Sequence, residues 1–366
     1  MRIVITGATG NVGTALLREL AADRDGAQRG HELVGVSRHQ PPDTPPYDQL
    51  HWVAADLSEP AGGERLAEAC RGADAVVHLA WLIQPSYDRE LLRRTNQGGT
   101  ARVIEAVTRA GVPHLVHFSS IGVYSPAVDA RPVGEDYPHE GVPTSPYSVD
   151  KAAAEAMLDR FEAEHPETVV SRLRPGLILQ PAAASEISRY FLPRPVPTAL
   201  LRQQLLRLAP FPSGVNLQFV HAEDVARAVA LVLEHQAGGA FNVATDPPLD
   251  RASWRELFGG ALPPVPVPVL RALAHASWAA HLQPVDPGWL DLAANLPVMN
   301  TNRIRDLGWT PSITSDQLLR QFVEALRHGD GLDGPALWPR RRLSRMLGVP
   351  KLGLDKLGRF SSGGRG

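Results

Sequence analysis

The sequence predicts an α/β chain: a doubly wound parallel sheet of the Rossmann type with a smaller carboxy-terminal lobe. Three observations predict it. Short apolar, partly β-branched runs alternate with helical patterns through the first two-thirds of the 366 residues. Gly7, Gly10 and Gly13 follow the first of these runs and open a helix. The last third turns irregular and proline-rich.

The elements follow in order. Ile3, Val4 and Ile5 read as a buried strand, and Thr14 to Ala22 as the amphipathic helix after it. A strand that turns through glycines into a helix start is an anion-binding device, because free N–H groups and the helix dipole favour negative charge there. Gly7 allows the turn, Gly10 lets a pyrophosphate approach the backbone, and Gly13 lets the helix pack on the strand. Thr9, Asn11 and Val12 complete this candidate cofactor turn. Leu33–Val36, His51–Ala54, Ala75–Leu79, Leu115–Phe118 and Thr168–Leu173 read as further strands, with helices over Arg89–Ala110 and Pro146–Glu164. Leu217–Val220, its helix Glu223–Glu234, and Ala240–Val243 read as the last edge of the same sheet. Residues 1–174, with returning segments at about 216–245, are thus expected to form the nucleotide-binding unit. Residues 175–215 and 246–328 are expected to form a substrate lobe over the carboxyl ends of the strands, where such sheets bind ligands.

The net charge of −2 gives no general pull toward nucleic acid or membrane. Residues 331–366 differ from the rest. Eight Lys and Arg stand there against Asp333 and Asp355, which makes +6 and leaves −8 for the rest of the chain. The stretch from 329 reads as a basic, flexible tail, solvated rather than bound, with a weak anionic-surface contact as the alternative. Cys70 is the single cysteine, so no intrachain disulfide forms and a reducing compartment is expected. No apolar run of membrane length occurs, and the first strand leaves no room for a signal peptide. The expectation is cytoplasmic, with no metal and no nucleic-acid partner.

Tyr147 and Lys151 carry the chemistry. Ser145 followed by Pro146 reads as an N-cap with proline at the first helical position. The i,i+4 spacing then puts both side chains on one helix face. An ammonium beside a phenol favours the phenolate and lowers its pKa toward the range useful for proton transfer. Ser119 and Ser120 end the fifth strand, where a hydroxyl meets a substrate oxygen.

Together these residues resemble the extended short-chain dehydrogenase/reductase family, also called the NAD-dependent epimerase/dehydratase family, over about residues 1–325. The matching pieces are TGATGNVG, Asp56-Leu57, HLA at 78–80, TNQGGT at 95–100, SSIGVY at 119–124, the Tyr147/Lys151 pair, FVHAEDVARA at 219–228 and LGWTP at 307–311. The resemblance implies that Ser120 holds the substrate oxygen, that Tyr147 moves its proton, and that Lys151 binds the nicotinamide ribose and lowers the tyrosine pKa. It implies that Asn96 orders a relay water or the helix near the site. Asp56 and Leu57 would contact the adenine, His78, Leu79 and Ala80 would line the cofactor groove, and Pro175 would pack near the nicotinamide. Asp224 would act as a helix-start cap. The helices over 89–110 and 146–164 match those that form a dimer interface in the family.

The chain departs from the family at three places. Ser37 and Arg38 end the second strand where NAD-preferring members carry an acid, which favours NADP over NAD because an arginine pairs with a 2′-phosphate. Leu177 and Leu217 stand where sugar-nucleotide members place an asparagine and an arginine, so a diphosphate would lose its anion contacts. Trp81, Leu82, Ile83, Pro181, Tyr190, Phe191 and Trp278 are candidates for an apolar pocket or for plain core. The first expectation is therefore an NAD(P)-dependent oxidoreductase for a neutral or apolar alcohol or carbonyl. The alternatives are a nucleotide-sugar epimerase or dehydratase with tightly bound NAD, and a non-catalytic NADP-sensing scaffold.

Overall fold

β1 (Arg2–Thr6) lies within a seven-stranded sheet with β2 (Glu32–Ser37), β3 (His51–Ala54), β4 (Ala75–His78), β5 (His114–Phe118), β6 (Val169–Pro175) and β10 (Gly239–Val243). The order is β10-β6-β5-β4-β1-β2-β3, and every neighbouring pair is parallel. The computed structural model describes residues 1–21, 30–191, 211–212, 214–259, 264–328 and 337. Successive strand residues point to opposite faces, and both faces are covered. Ile3, Ile5, Ala75 and Val77 pack with α1 (Asn11–Ala21) and α6 (Ala222–Glu234). Val4, Val34, Val36 and Val76 pack on the other face with α2 (Pro60–Ala69), α3 (Arg89–Ala110) and α4 (Pro146–Glu164). This double burial is why the strands read as continuous apolar runs rather than alternating ones. The strand order reverses between β1 and β4, so their carboxyl ends flank the crevice where such sheets place a ligand.

Two readings change. The strand expected over 217–220 is β9 (Phe219–His221), and it lies outside the main sheet. It pairs with β7 (Leu177–Leu179) in a separate two-stranded ladder. The edge beside β6 is taken by β10 instead. The lobe is also more helical than its prolines suggested: α5 (Ala184–Phe191), α7 (Arg251–Phe258), α8 (Val267–Ala279), α9 (Gly288–Asn295), α10 (Asn302–Asp306) and α11 (Ser315–His328). Pro266 and Pro287 sit at N-caps and Pro268 in a first turn, positions where a missing N–H costs nothing. A short β8 (Phe211–Pro212) pairs with β11 (Pro264–Val265). The basic tail read from 329 onward lies outside the described residues except for Leu337. That side chain is fully buried, so packed structure continues past a boundary drawn at 331.

Candidate functional site

The glycine turn sits where the sequence puts it. Gly7 adopts φ +71°, and a Cβ there would lie 2.7 Å from the backbone N of Ala80, so the turn excludes any side chain. A Cβ on Gly13 would lie 2.4 Å from the Gly7 carbonyl. Gly10 is different: a Cβ would meet only the Gly7 carbonyl, at 3.4 Å. No contact within the protein requires glycine at 10, so its bare backbone suits a ligand approaching from outside. Thr14 donates to the Gly10 carbonyl from both its N–H and its hydroxyl, at 2.9 and 2.8 Å. The N–H groups of Asn11, Val12 and Gly13 thereby become the first-turn donors without intrahelical partners. Gln180, buried beyond β7, donates to the Asn11 carbonyl at 3.2 Å and also to its side-chain oxygen. That tether between lobe and turn was not read from the sequence, where Gln180 is one polar residue beside a proline.

At the end of β5 three successive residues meet three successive turns of α4. The Phe118 carbonyl accepts from Lys151 Nζ at 2.7 Å. Ser119 Oγ donates to Glu155. The Ser120 hydroxyl faces the Tyr147 phenol and accepts from the Gly122 N–H at 3.0 Å. Positions 147, 151 and 155 are spaced by four, so they line one face of α4. Glu155 is fully buried and is held in turn by Arg174 of β6, whose Nε donates at 2.9 Å. Ser145 caps α4 by position only, since its hydroxyl makes no cap hydrogen bond. Trp81 stands edge-on to Tyr147, with centroids 6.4 Å apart, and Trp289 of α9 lies 5.0 Å from Tyr147 on a tilted ring. Lys151 Nζ sits 3.5 Å from the Trp81 ring centroid. Trp289 was missed in the sequence because one tryptophan in a proline-rich segment carries no spacing signal.

Burial pushes the Tyr147 phenol up to about 12, against the opposing Ser120 hydroxyl. This corrects the expectation that Lys151 lowers it. Lys151 is engaged with Phe118 and Trp81, and burial brings its own ammonium down to about 7, with Glu155 opposing. His78 is pushed down to about 3 by burial and then by Lys151, so it is neutral. His117 is driven in the same direction by burial and by His78. Burial raises the Glu155 carboxyl, but the Arg174 hydrogen bonds outweigh it and hold the group below its ordinary value. Trp81 Nε1 and Ser145 Oγ are enclosed without a hydrogen-bond partner in the protein. Buried polar atoms are normally satisfied, so these two suit a ligand contact.

The other candidates lie as follows. Asn96 is buried and clamps the loop after β4, accepting from the Leu82 N–H at 2.8 Å and donating to its carbonyl at 3.1 Å. His78 bonds Thr6 Oγ at 2.8 Å inside the sheet, while Leu79 and Ala80 border Gly7. Thr9 is partly exposed in the turn, and Pro175 is buried at the carboxyl end of β6. Ser37 donates to the His39 carbonyl at 2.7 Å, and Arg38 is exposed beside it. Asp56 is exposed. Burial raises its carboxyl somewhat, but the Ser58 N–H, Arg38 and Arg94 together hold it below its ordinary value. The Leu57 side chain faces the core with Val34 and Val103 rather than a groove. Asp224 is structural, but it is not the cap of α6. His221 holds that position, and Asp224 pairs with Arg227 and accepts from the Ser312 N–H at 3.1 Å. Of the pocket candidates, Trp81 and Leu82 border the site. Trp278 stacks on Tyr87 at 5.5 Å, and the side chains of Tyr190 and Phe191 lie outside the described residues. Among the described residues no cluster of three or more His, Cys, Asp or Glu is arranged to hold a metal, and no helix is long and apolar enough to cross a membrane.

The sequence model described as the NAD dependent epimerase/dehydratase family matches residues 3–244, and the chain belongs to that family. An uncharacterized protein of Mycobacterium tuberculosis is 25% identical over 96% of this chain, which spans only 33% of that relative's length. A UDP-glucose 4-epimerase of Mycolicibacterium smegmatis is 27% identical over 90% of this chain and 99% of its own. A ceramide reductase of Caulobacter vibrioides is 27% identical over 85% and 86%. The fold matches the crystal structure of a Thermus thermophilus UDP-glucose 4-epimerase complex with NAD. Its TM-score is 0.61 at 23% identity, covering 89% of this chain and 99% of that one.

Proposed function

We propose that the protein is an NAD(P)-dependent oxidoreductase that interconverts a neutral or apolar alcohol and its carbonyl compound. One observation carries the reading: the Tyr147 phenol faces the Ser120 hydroxyl between two tryptophan rings, with Lys151 one turn along the same helix. The glycine turn would hold the dinucleotide pyrophosphate at the α1 N-terminus. Bound there, the nicotinamide accepts or supplies hydride. Tyr147 gives its phenolic proton to the carbonyl oxygen in reduction and takes it back in oxidation. At about 12 the phenol stays protonated across neutral pH, which suits a proton donor. Ser120 holds the oxygen by a hydrogen bond. Lys151, cationic below about 7, would support the phenolate once it turned from the Phe118 carbonyl and the Trp81 ring, where it rests here without lowering the phenol. Trp81 and Trp289 keep bulk water from Tyr147.

Two features support a substrate without a diphosphate. Leu177 and Leu217 replace the polar residues expected for one, and both belong to the β7/β9 region above the sheet. The similarity to a ceramide reductase points the same way. A second reading, a nucleotide-sugar epimerase, is supported by the full-length similarity to such an enzyme. Mass spectrometry of co-purifying nucleotide, followed by turnover assays with long-chain ketones and with UDP-glucose, decides between them. Ketone-dependent NADPH or NADH oxidation supports the first reading. Epimerised UDP-glucose with retained NAD overturns it.

We further propose that NADP is preferred, through Arg38 at the end of β2. Arg38→Ala is expected to weaken NADPH by about 1.5–3 kcal/mol, the range for a hydrogen bond to a charged group, while NADH hardly changes. Calorimetry that finds equal loss for both removes Arg38 from cofactor choice.

A further inference from the structure

The glycine turn is held from two sides. On one side Tyr47, buried between β2 and β3, shares a 2.9 Å hydrogen bond with the Thr14 hydroxyl. That hydroxyl gives its single hydrogen to the Gly10 carbonyl, so the Tyr47 phenol is the donor. On the other side stands Gln180, only 2% exposed, immediately after β7. Its amide reaches 169 residues back to Asn11, the first residue of α1. The Asn11 main-chain carbonyl can only accept, at 3.2 Å, so Gln180 presents its NH2 group there. The Asn11 side-chain atom that meets the same nitrogen is therefore its oxygen. One residue of the lobe thus fixes both the main chain and the side chain of one residue of the turn.

The two ends of this tether are rooted in different cores. Leu179 and Ala184, on either side of Gln180, belong to the apolar cluster of the lobe with Leu318 and Phe322 of α11. Val12, Ala15 and Leu16, which follow Asn11, belong to the cluster beneath the main sheet. Burying an amide costs free energy unless its hydrogen bonds are made. These two are made only while the lobe segment and the α1 N-terminus keep their present separation.

The geometry points to Gln180 as a positioning residue for the dinucleotide: it aims the first turn of α1 at the pyrophosphate and couples residues 177–187 of the lobe to cofactor occupancy. This role rests on pyrophosphate binding at the α1 N-terminus and on no particular substrate. A donor array held in place before its ligand arrives loses less freedom on binding. Coupling between two sites is reciprocal. If the tether favours bound cofactor, bound cofactor favours the tether, and the lobe segment then opens less often.

The experiment compares the parent with Gln180→Met, which keeps the length of the side chain and removes its donors. Tyr47 still holds the turn in that variant, so Tm is expected to stay near the parent's. Affinity for NADPH and NADH by calorimetry is expected to fall about tenfold, the fold-change for one to two neutral hydrogen bonds. ADP-ribose, which carries the pyrophosphate without nicotinamide, is expected to lose as much. In hydrogen exchange read by mass spectrometry, the dinucleotide is expected to protect residues 9–15 in both proteins but 177–187 in the parent alone. Asn11→Ala cuts one of the two bonds from the partly exposed end, which keeps the test open should Gln180→Met fold poorly. Protection of 177–187 is expected to shrink in it, and adding Gln180→Met to it is expected to cost less than Gln180→Met alone. A Gln180→Met protein that melts lower but binds dinucleotide as the parent does assigns Gln180 to packing and overturns the role. Equal protection of 177–187 in parent and variants overturns the coupling, and a loss confined to NADPH and NADH but absent for ADP-ribose overturns the aim at the pyrophosphate. A parent that binds neither dinucleotide overturns the role together with the cofactor reading, which every other result leaves standing.

Discussion

At the end of β5, each of Phe118, Ser119 and Ser120 is tied to α4, and behind them Glu155 and Arg174 form a fully enclosed ion pair. Across the site the lobe is put together by other means. α9 buries Gly288, Asp291 and Leu292 and turns Trp289 to Tyr147, while α8 buries nothing and is held by an ion pair to Asp291, by Tyr87, which stacks on Trp278 and donates to its carbonyl, and by hydrogen bonds from Gln283. A side chain fixed by several hydrogen bonds in a dry environment keeps its geometry to a fraction of an ångström, which proton transfer needs. A wall of stacked rings tolerates a change of shape. The difference teaches that the reaction is set by the sheet side and the choice of substrate by the lobe side. Substitutions on the two sides should therefore fail in different ways.

The largest effect is expected at Tyr147. Tyr147→Phe removes one oxygen and should leave the fold intact, while turnover falls at least about a hundredfold, as for loss of a general acid. A variant retaining the parent kcat on any substrate would place the proton donor elsewhere. The lobe supplies the contrast. Trp289→Ala should raise KM about tenfold, near 1.4 kcal/mol of lost apolar contact, with kcat changed by less than about threefold. If Trp289→Ala lowers kcat as Tyr147→Phe does, the division between the two sides is wrong.

A similar contrast divides the glycines. Gly10→Ala should leave Tm unchanged, because its Cβ meets only one backbone oxygen at 3.4 Å, yet weaken NADPH at least about tenfold. Gly13→Ala should lower Tm, since its Cβ would overlap the Gly7 carbonyl. Equal loss of Tm in both would make Gly10 a packing glycine and remove the argument that it faces a ligand.

The sheet side was legible because its rules are local. The helices expected over 89–110 and 146–164 occur at those residues: Ser145-Pro146 marked the start of the second, and in the structure Asp88 caps the first and Gly111 ends it. The spacing of Tyr147 and Lys151 placed both on one face. Glu155 was not read, although it continues the same spacing, because a carboxylate on a helix is ordinarily solvated; its partner Arg174 is 19 residues away on another element. The Lys151 environment was misread for the same reason. Its approach to Trp81 is set by how the loop after β4 folds back, and no sequence period encodes that. The lobe was read as irregular and proline-rich with some helix, whereas it is largely helical and several of its prolines stand at helix starts.

The smallest expected effect concerns Glu155, and it separates a positioning role from mere packing. Lys151 sits at about 7 because burial disfavours its charge, and Glu155, one turn on, opposes that. The other groups around it are His78 of β4 and His117 of β5, both neutral, and the Arg172 and Arg174 guanidiniums of β6. If the cationic form supports the phenolate, reductive kcat/KM should be flat below neutrality and decline as pH rises through 7. Glu155→Gln keeps one acceptor oxygen, enough for Ser119 and Arg174 Nε, but loses the acceptor for Arg174 Nη2 and removes the negative charge, so the Lys151 pKa should fall further. The declining limb then moves to lower pH, by about one unit, the lower end for loss of a nearby charge. Stability should fall as well, because Arg174 is left without its counter-charge in a buried place, so the profile is measured well below the variant's Tm. Glu155→Asp, which restores the charge, should return the limb toward its parent position. A Glu155→Gln protein that is less stable but titrates like the parent would show that Glu155 only packs, and that the limb belongs to a group other than Lys151.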